Sequence, residues 1–325
     1  MNNIIEEKIY EAISAIKSGN NIFIASHVNP DGDNMGSMLS LALALKKIGK
    51  NVVVLKSDVI PEDYRFLPGI QLIQEYRTEL GPIDVFIALD SSDEERLGDN
   101  GHLLKEARCV INIDHHISST RFGDINVVDD RAAATGELVY YLIKYMKIDL
   151  DVDIGTNLYT AISTDTGKFS YESVTSDTHR IVAELIDTGI DFNQINIQLY
   201  ENMSIEKTRL FIHVLSTLKT YENSSIATAK VTQTMLKESG TKMEDTEGIV
   251  SFIRKIASVE VACILKEVKE DDIKISLRSK KRVDVASICE FFGGGGHIRA
   301  AGCSISSNID DAENMIVSKI REYIR

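Results

Sequence analysis

Cysteine is scarce in this chain, positive charge falls short, and long apolar runs are missing. Four cysteines, Cys109, Cys263, Cys289 and Cys303, are spread over 325 residues, and none forms a CxxC pair. That spacing builds neither a disulfide framework nor a thiol-bound zinc module. Three of the four sit among apolar neighbours, which reads as reduced core thiols in a cytoplasmic protein. Lysine and arginine total 36 against 49 aspartates and glutamates, a net charge of −13. Proteins that coat duplex DNA by displacing counterions are normally basic, so the balance argues strongly against that class. No stretch reaches the ~18 apolar residues of a membrane span. The first 19 residues carry Glu6, Glu7 and Glu11 on an amphipathic pattern. A signal peptide needs a basic start and an uninterrupted apolar stretch instead. Internal repeats and low-complexity tails are also absent.

What is present is ordinary globular material, 43% hydrophobic and 26% charged. At ~150 residues per domain, the length suggests two domains. Charge divides unevenly between them. Residues 1–190 hold 17 basic and 30 acidic side chains, whereas residues 191–325 hold 19 of each. All the excess acid therefore lies in the first part. Surface solubility is the default explanation, and bound cations are the alternative.

Apolar runs at 21–26, 52–55, 85–89 and 109–113 read as buried strands, and helical spacing covers 35–48, 135–147 and 153–164. Strands that are apolar throughout and alternate with helices describe a parallel sheet covered on both faces. Residues 176–220 are mostly helical and lack strands. The pattern then restarts, with strands at 225–231, 259–266 and 273–278 and helices near 246–256, 283–292 and 309–324. The acidic stretch 267–272 reads as a hairpin turn. The expected fold is thus α/β: a parallel-sheet domain over 1–190, a helical connector over 191–220, and a smaller α/β domain over 221–325.

Four of the seven histidines fall in three loops rich in Asp or Gly. His27-x-x-x-Asp31-x-Asp33 follows the first strand directly, and its two carboxylates can face neighbouring cations. A turn plus a helix cap would explain the same residues. Asp90 ends a buried strand, where open α/β sheets bind ligands. Asp114-His115-His116 ends the next, and adjacent histidines point different ways. Asp165 lies at a helix end, where a carboxylate opposes the helix dipole and favours a nearby cation. Imidazole mixed with hard oxygen donors suits Mn²⁺ or Mg²⁺ better than thiol-bound zinc. Two such ions ~3.5–4 Å apart clamp an in-line attack on phosphorus.

These motifs, His27-x-Asn29-Pro30-Asp31-Gly32-Asp33, Asp90, Asp114-His115-His116 and Asp165, resemble in order the four motifs of the DHH phosphoesterase superfamily. Gly293-Gly294-Gly295-Gly296-His297-x-Arg299-Ala300-Ala301-Gly302 resembles the signature of the DHH-associated C-terminal domain. The resemblance covers nearly the whole chain and is strongest to the nanoRNase and pAp phosphatase type. It implies that His27 and Asp31 hold one cation, that Asp33, His115 and Asp165 hold another, and that Asp90 bridges them. It implies a catalytic His116 that faces the scissile phosphate, with Asp114 orienting a histidine. Arg278, Ser279, Gly294, Gly295, Gly296 and His297 would contact the substrate. The sequence departs from relatives at Ile117-Ser118-Ser119-Thr120, where Pro and a nearby Asn are frequent, and at Ala134, where Ser is frequent. Both departures bear on substrate preference.

The expected activity is therefore hydrolysis of very short oligoribonucleotides, such as dinucleotides, to mononucleotides, and of pAp to AMP. Two divalent cations would assist, Mn²⁺ first, with Mg²⁺ or Co²⁺ as alternatives. The second domain would close over the first and hold the substrate's far end, so that long strands are refused. Rival readings are a cyclic di-AMP phosphodiesterase, a family II inorganic pyrophosphatase and a RecJ-like exonuclease. From another class comes a catalytically silent nucleotide-binding regulator. Neither duplex DNA nor a membrane is an expected partner, and a homodimer is left open.

Overall fold

The computed structural model describes residues 3–324. They form two compact units that divide after Asn202. In the first, α1 (Asn3–Ser18) precedes β1 (Asn21–Ser26), and α2 (Gly32–Lys47) leads to β2 (Asn51–Leu55) and the two-residue edge strand β3 (Ile73–Gln74). Strands β4 (Val85–Leu89), β5 (Val110–Asp114) and β6 (Ile125–Val128) follow, then helices α3 (Thr135–Tyr145), α4 (Val152–Asp165), α5 (Ser176–Asp187) and α6 (Phe192–Tyr200). All six strands run parallel in the order β3-β2-β1-β4-β5-β6.

The expected burial of both sheet faces is observed, but by different means. Helices α1 to α5 cover one face, packing Ile9, Leu39, Leu45, Leu142 and Leu158 around Ile22, Ile24 and Ile87. On the other face, Phe23, Phe86 and Val53 lie beneath Leu97 and Leu103 of a kinked 3₁₀ segment, Glu95–Lys105. Strand order reverses direction between β1 and β4. Ligands of open α/β sheets bind at such a switch point, outside the C-terminal strand ends.

The second unit holds α7 (Ile205–Ser216), β7 (Lys219–Tyr221), β8 (Ile226–Val231), α8 (Gln233–Ser239), α9 (Ile249–Arg254), β9 (Val261–Lys269), β10 (Asp272–Ser279), α10 (Val285–Glu290), β11 (Gly295–His297), β12 (Ala300–Ile305) and α11 (Ile309–Ile324). Its mixed sheet has the order β11-β12-β10-β9-β8-β7, with only β8 and β9 parallel. Helices α10 and α11 cover one face, and α7, α8 and α9 the other. The acidic stretch at 267–272 is the β9–β10 hairpin connection. Of the residues expected to form a connector, α6 belongs to the first unit and α7 to the second. Cys263, Cys289 and Cys303 are buried, and all four cysteines are free.

Candidate metal centre

Each acidic or histidine side chain of interest sits where an element ends. His27 follows β1, and its Nδ1 lies 2.8 Å from the Val28 carbonyl. A carbonyl only accepts, so Nδ1 carries the proton and Nε2 presents its lone pair. Asp31 caps α2 by accepting the Asn34 amide at 3.0 Å. Asp33 lies in the first turn of that helix and is 1% exposed. Asp90 follows β4 with φ of 55°, a left-handed backbone unusual for a residue with a side chain. Its carboxylate is thereby turned into the site. His115 and His116 follow β5, and Asp165 is the last residue of α4.

The strand ends bring these groups together. His27 Nε2 stands 3.3 Å from Asp90 Oδ2 and 3.8 Å from Asp31 Oδ2. His115 Nε2 stands 3.3 Å from Asp165 Oδ2, 3.8 Å from Asp33 Oδ2 and 3.7 Å from Asp90 Oδ1. Asp90 thus presents one oxygen to each group. His27, Asp31 and Asp90 could hold one metal ion, and Asp33, His115 and Asp165 another. Donors around a six-coordinate divalent cation at about 2.1 Å lie about 3 Å apart, so only a small contraction is required. His116 has a different partner. Its Nδ1 donates to Asp114 Oδ1 at 2.7 Å, and its amide donates to the same oxygen at 3.2 Å. The other Asp114 oxygen is buried without a hydrogen bond.

The buried acids of this cluster raise one another's pKa. Burial and the charges of Asp90, Asp165 and Asp31 push the Asp33 carboxyl well above its ordinary value. Burial raises Asp165 to about 6, with Asp90 and Asp31 adding to the effect and His115 opposing it. Burial would also raise Asp90, but the His27 bond and the charges of the three histidines hold it below the ordinary range. His116 is raised to about 9, chiefly by its bond to Asp114. Cations would relieve the repulsion among these acids.

Sequence reasoning missed the N-terminus of α3. The amides of Thr135 and Gly136 donate to Asp33 at 2.6 and 2.9 Å. The Thr135 hydroxyl donates to Asp90 at 2.9 Å, and Ser37 donates to Asp33 at 2.8 Å. A helix N-terminus is well suited to fix a carboxylate. The signal was Thr135-Gly136-Glu137 just ahead of an apolar helical pattern, here read only for the residue before it.

Both units resemble known domain families. Residues 21–164 match the DHH family N-terminal domain, and residues 223–325 match the DHHA1 domain. The bifunctional oligoribonuclease and PAP phosphatase NrnA of Thermus thermophilus is 33% identical over 317 residues, 97% of this chain and 93% of that protein. The chain belongs to the DHH phosphoesterase family. It is accordingly a hydrolase of phosphoester bonds. The Bacillus subtilis protein of the same name is 27% identical over 94% of this chain and 96% of its own length. The crystal structure of an exopolyphosphatase-related protein from Bacteroides fragilis superposes with a TM-score of 0.92 at 30% identity, covering 98% of this chain and 96% of that one.

In the second unit of this DHH phosphoesterase, the glycine run differs from expectation in its reasons. A Cβ on Gly294 would lie 2.2 Å from the Gly302 carbonyl, and Gly296 has φ of 146° with the Ala300 carbonyl 2.5 Å from a built Cβ. Those two glycines serve the unit's own packing, and Gly295 alone of the three has open space beside it. His297 is exposed on β11, and Arg278 is half-buried at the end of β10 with a bond to the Leu277 carbonyl. Ser279 is fully buried, with its hydroxyl 3.5 Å from the Ile298 carbonyl. Among the described residues, no helix is long and apolar enough to cross a membrane.

Proposed function

We propose that this phosphoesterase hydrolyses very short oligoribonucleotides to mononucleotides, and pAp to AMP, with Mn²⁺ as the preferred cation. The observation that carries the reading is the convergence of His27, Asp31, Asp33, Asp90, His115 and Asp165 at the sheet's switch point. The names of the Thermus and Bacillus relatives supply the substrate class. His27, Asp31 and Asp90 would hold one cation, and Asp33, His115, Asp165 and Asp90 the other. When bound there, the ions supply Lewis-acid charge to the phosphoryl oxygens and make a water acidic enough to attack.

The chain's own residues do the rest. Asp114 accepts a hydrogen bond from His116 Nδ1, which leaves Nε2 as the atom available to the substrate. The bond to Asp114 favours the protonated form of His116. The imidazole donates its proton from Nε2 to the leaving oxygen as the P–O bond breaks. The Thr135 and Gly136 amides and the Ser37 and Thr135 hydroxyls hold Asp33 and Asp90 in place throughout. We assign recognition of the substrate's remaining nucleotide to Arg278, His297 and the backbone at Gly295.

One panel tests the reading: a dinucleotide, a five-mer, a 24-mer, pAp, linear and cyclic di-AMP, and pyrophosphate, each with Mn²⁺. Dinucleotide and pAp should be turned over fastest, and chelator should abolish both reactions. Preference for cyclic di-AMP or pyrophosphate would overturn the substrate assignment. Binding without turnover across the panel would make the protein a nucleotide-binding regulator.

A further inference from the structure

Glu137 is the third residue of α3, whose N-cap is Ala134. Its Oε2 accepts the Ala133 amide at 3.2 Å. The Ala132 carbonyl belongs to the same planar peptide unit. That carbonyl lies 3.2 Å from His115 Nδ1. Because a carbonyl only accepts, the imidazole proton is on Nδ1, and the lone pair of Nε2 faces Asp165 and Asp33. One peptide therefore joins a carboxylate at its N–H end to an imidazole at its C=O end. Hydrogen bonds in line polarise one another, so a carboxylate on the N–H makes the carbonyl a stronger acceptor for Nδ1–H. Metal-binding histidines commonly give that second N–H to a carboxylate directly, which fixes the tautomer and raises the basicity of the ligating nitrogen. Here the peptide stands between the two.

Glu137 is held through Oε2, while its other oxygen, Oε1, is buried without a hydrogen bond. The residue is 6% exposed, and burial raises its carboxyl, while Thr178, the Ala133 amide and His115 favour the ionised form against Asp177. A carboxylate in such a place costs stability unless its bonds compensate.

We infer that Glu137 is a positioning residue for His115: it fixes the 132–133 peptide plane, and that plane sets the tautomer and tilt of the imidazole. The inference rests on the reading of His115 as a cation ligand. It is tested without substrate, by calorimetric titration of Mn²⁺ into chelator-stripped protein. Glu137→Ala should weaken the His115-side ion by about 10–100-fold, the usual effect of removing such a support, and leave the His27-side ion unchanged. Glu137→Gln keeps an amide oxygen that can accept the Ala133 N–H but loses the charge, and should bind Mn²⁺ more tightly than Glu137→Ala and somewhat less tightly than the parent. Glu137→Asp keeps the charge but is too short to reach, and should resemble Glu137→Ala. In turnover, Glu137→Ala should lower kcat with KM nearly unchanged, because the residue is argued to act through His115. Should Glu137→Ala fail to fold by circular dichroism, the Gln and Asp variants decide the matter alone. Gln behaving as Ala, or Asp as the parent, would overturn the relay, as would two undisturbed ions in a folded Glu137→Ala protein. A parent protein that took up no cation would overturn instead the metal reading beneath it.

Discussion

Asp90 concentrates the chemistry of the site in one side chain. It faces His27 with one oxygen and His115 and the Thr135 hydroxyl with the other, from a backbone with φ of 55°. Left-handed backbone costs a residue with a side chain roughly 1–3 kcal/mol, and Asn and Asp bear it best. Asp90→Asn therefore removes the charge without adding backbone strain, which Asp90→Ala would not. The Asn variant should fold and lose both cations on dialysis. Two ions still present by elemental analysis would show that Asp90 does not bridge them. The neighbouring histidines separate binding from chemistry. His115→Ala should lose metal, whereas His116→Ala should keep metal and fold yet lose turnover by ~10²–10⁴-fold, the range for a general acid. Equal metal loss in both would place His116 among the ligands.

At the scale of elements, buried strands were the most legible part of the chain. Runs such as Val85–Leu89 are apolar throughout because both sheet faces are covered. The six groups of the candidate metal centre were visible because each stands near the end of such a run or at the start or end of an apolar helix. Weaker signals failed for physical reasons. Edge strands β3 and β7 have two and three residues, too few to show a period. Strand β12 contains Gly302 and follows the glycine run, so its composition points to a loop while its pairing with β10 makes it a strand. The positive φ of Asp90 and the role of α3's first turn depend on partners distant in sequence. The glycine run shows how motif and packing divide the same residues. Gly294→Ala sets a Cβ against backbone at 2.2 Å, and Gly295→Ala sets one in open space. The first should destabilise the second unit by about 1–3 kcal/mol in urea unfolding, as overpacking does. The second should unfold like the parent but bind nucleotide less well, if backbone at Gly295 meets substrate. Reversed behaviour would remove Gly295 from the site.

For the whole molecule, the charge balance bears on the proposed preference for short substrates. Residues 1–190 carry the entire net charge of −13 and residues 191–325 are neutral. Two divalent cations would offset four of those charges just where a phosphate has to meet the protein. A dinucleotide brings little charge beyond that point, but every added nucleotide brings one more phosphate into a negative field. Such a field lowers the encounter rate of like-charged ligands and is weakened by salt. Turnover per molecule should therefore fall steeply from a dinucleotide to a 24-mer, and moderate salt should narrow the gap. The run Arg278-Ser279-Lys280-Lys281-Arg282 is the strongest basic cluster in the chain. Part of it is already engaged, since Lys280 bonds the carbonyls of Ile256 and Ala257, and Glu260 receives the amides of Lys281, Arg282 and Val283. Arg278, half-buried at the end of β10, is the member assigned above to the substrate. Arg278→Ala should raise KM for dinucleotides by roughly tenfold, the loss of one charge-assisted hydrogen bond. A small chromogenic phosphodiester, which has no second nucleotide to hold, should be cleaved almost as before. Equal efficiency on a 24-mer and a dinucleotide, together with a silent Arg278→Ala, would mean that neither net charge nor the basic run selects for length.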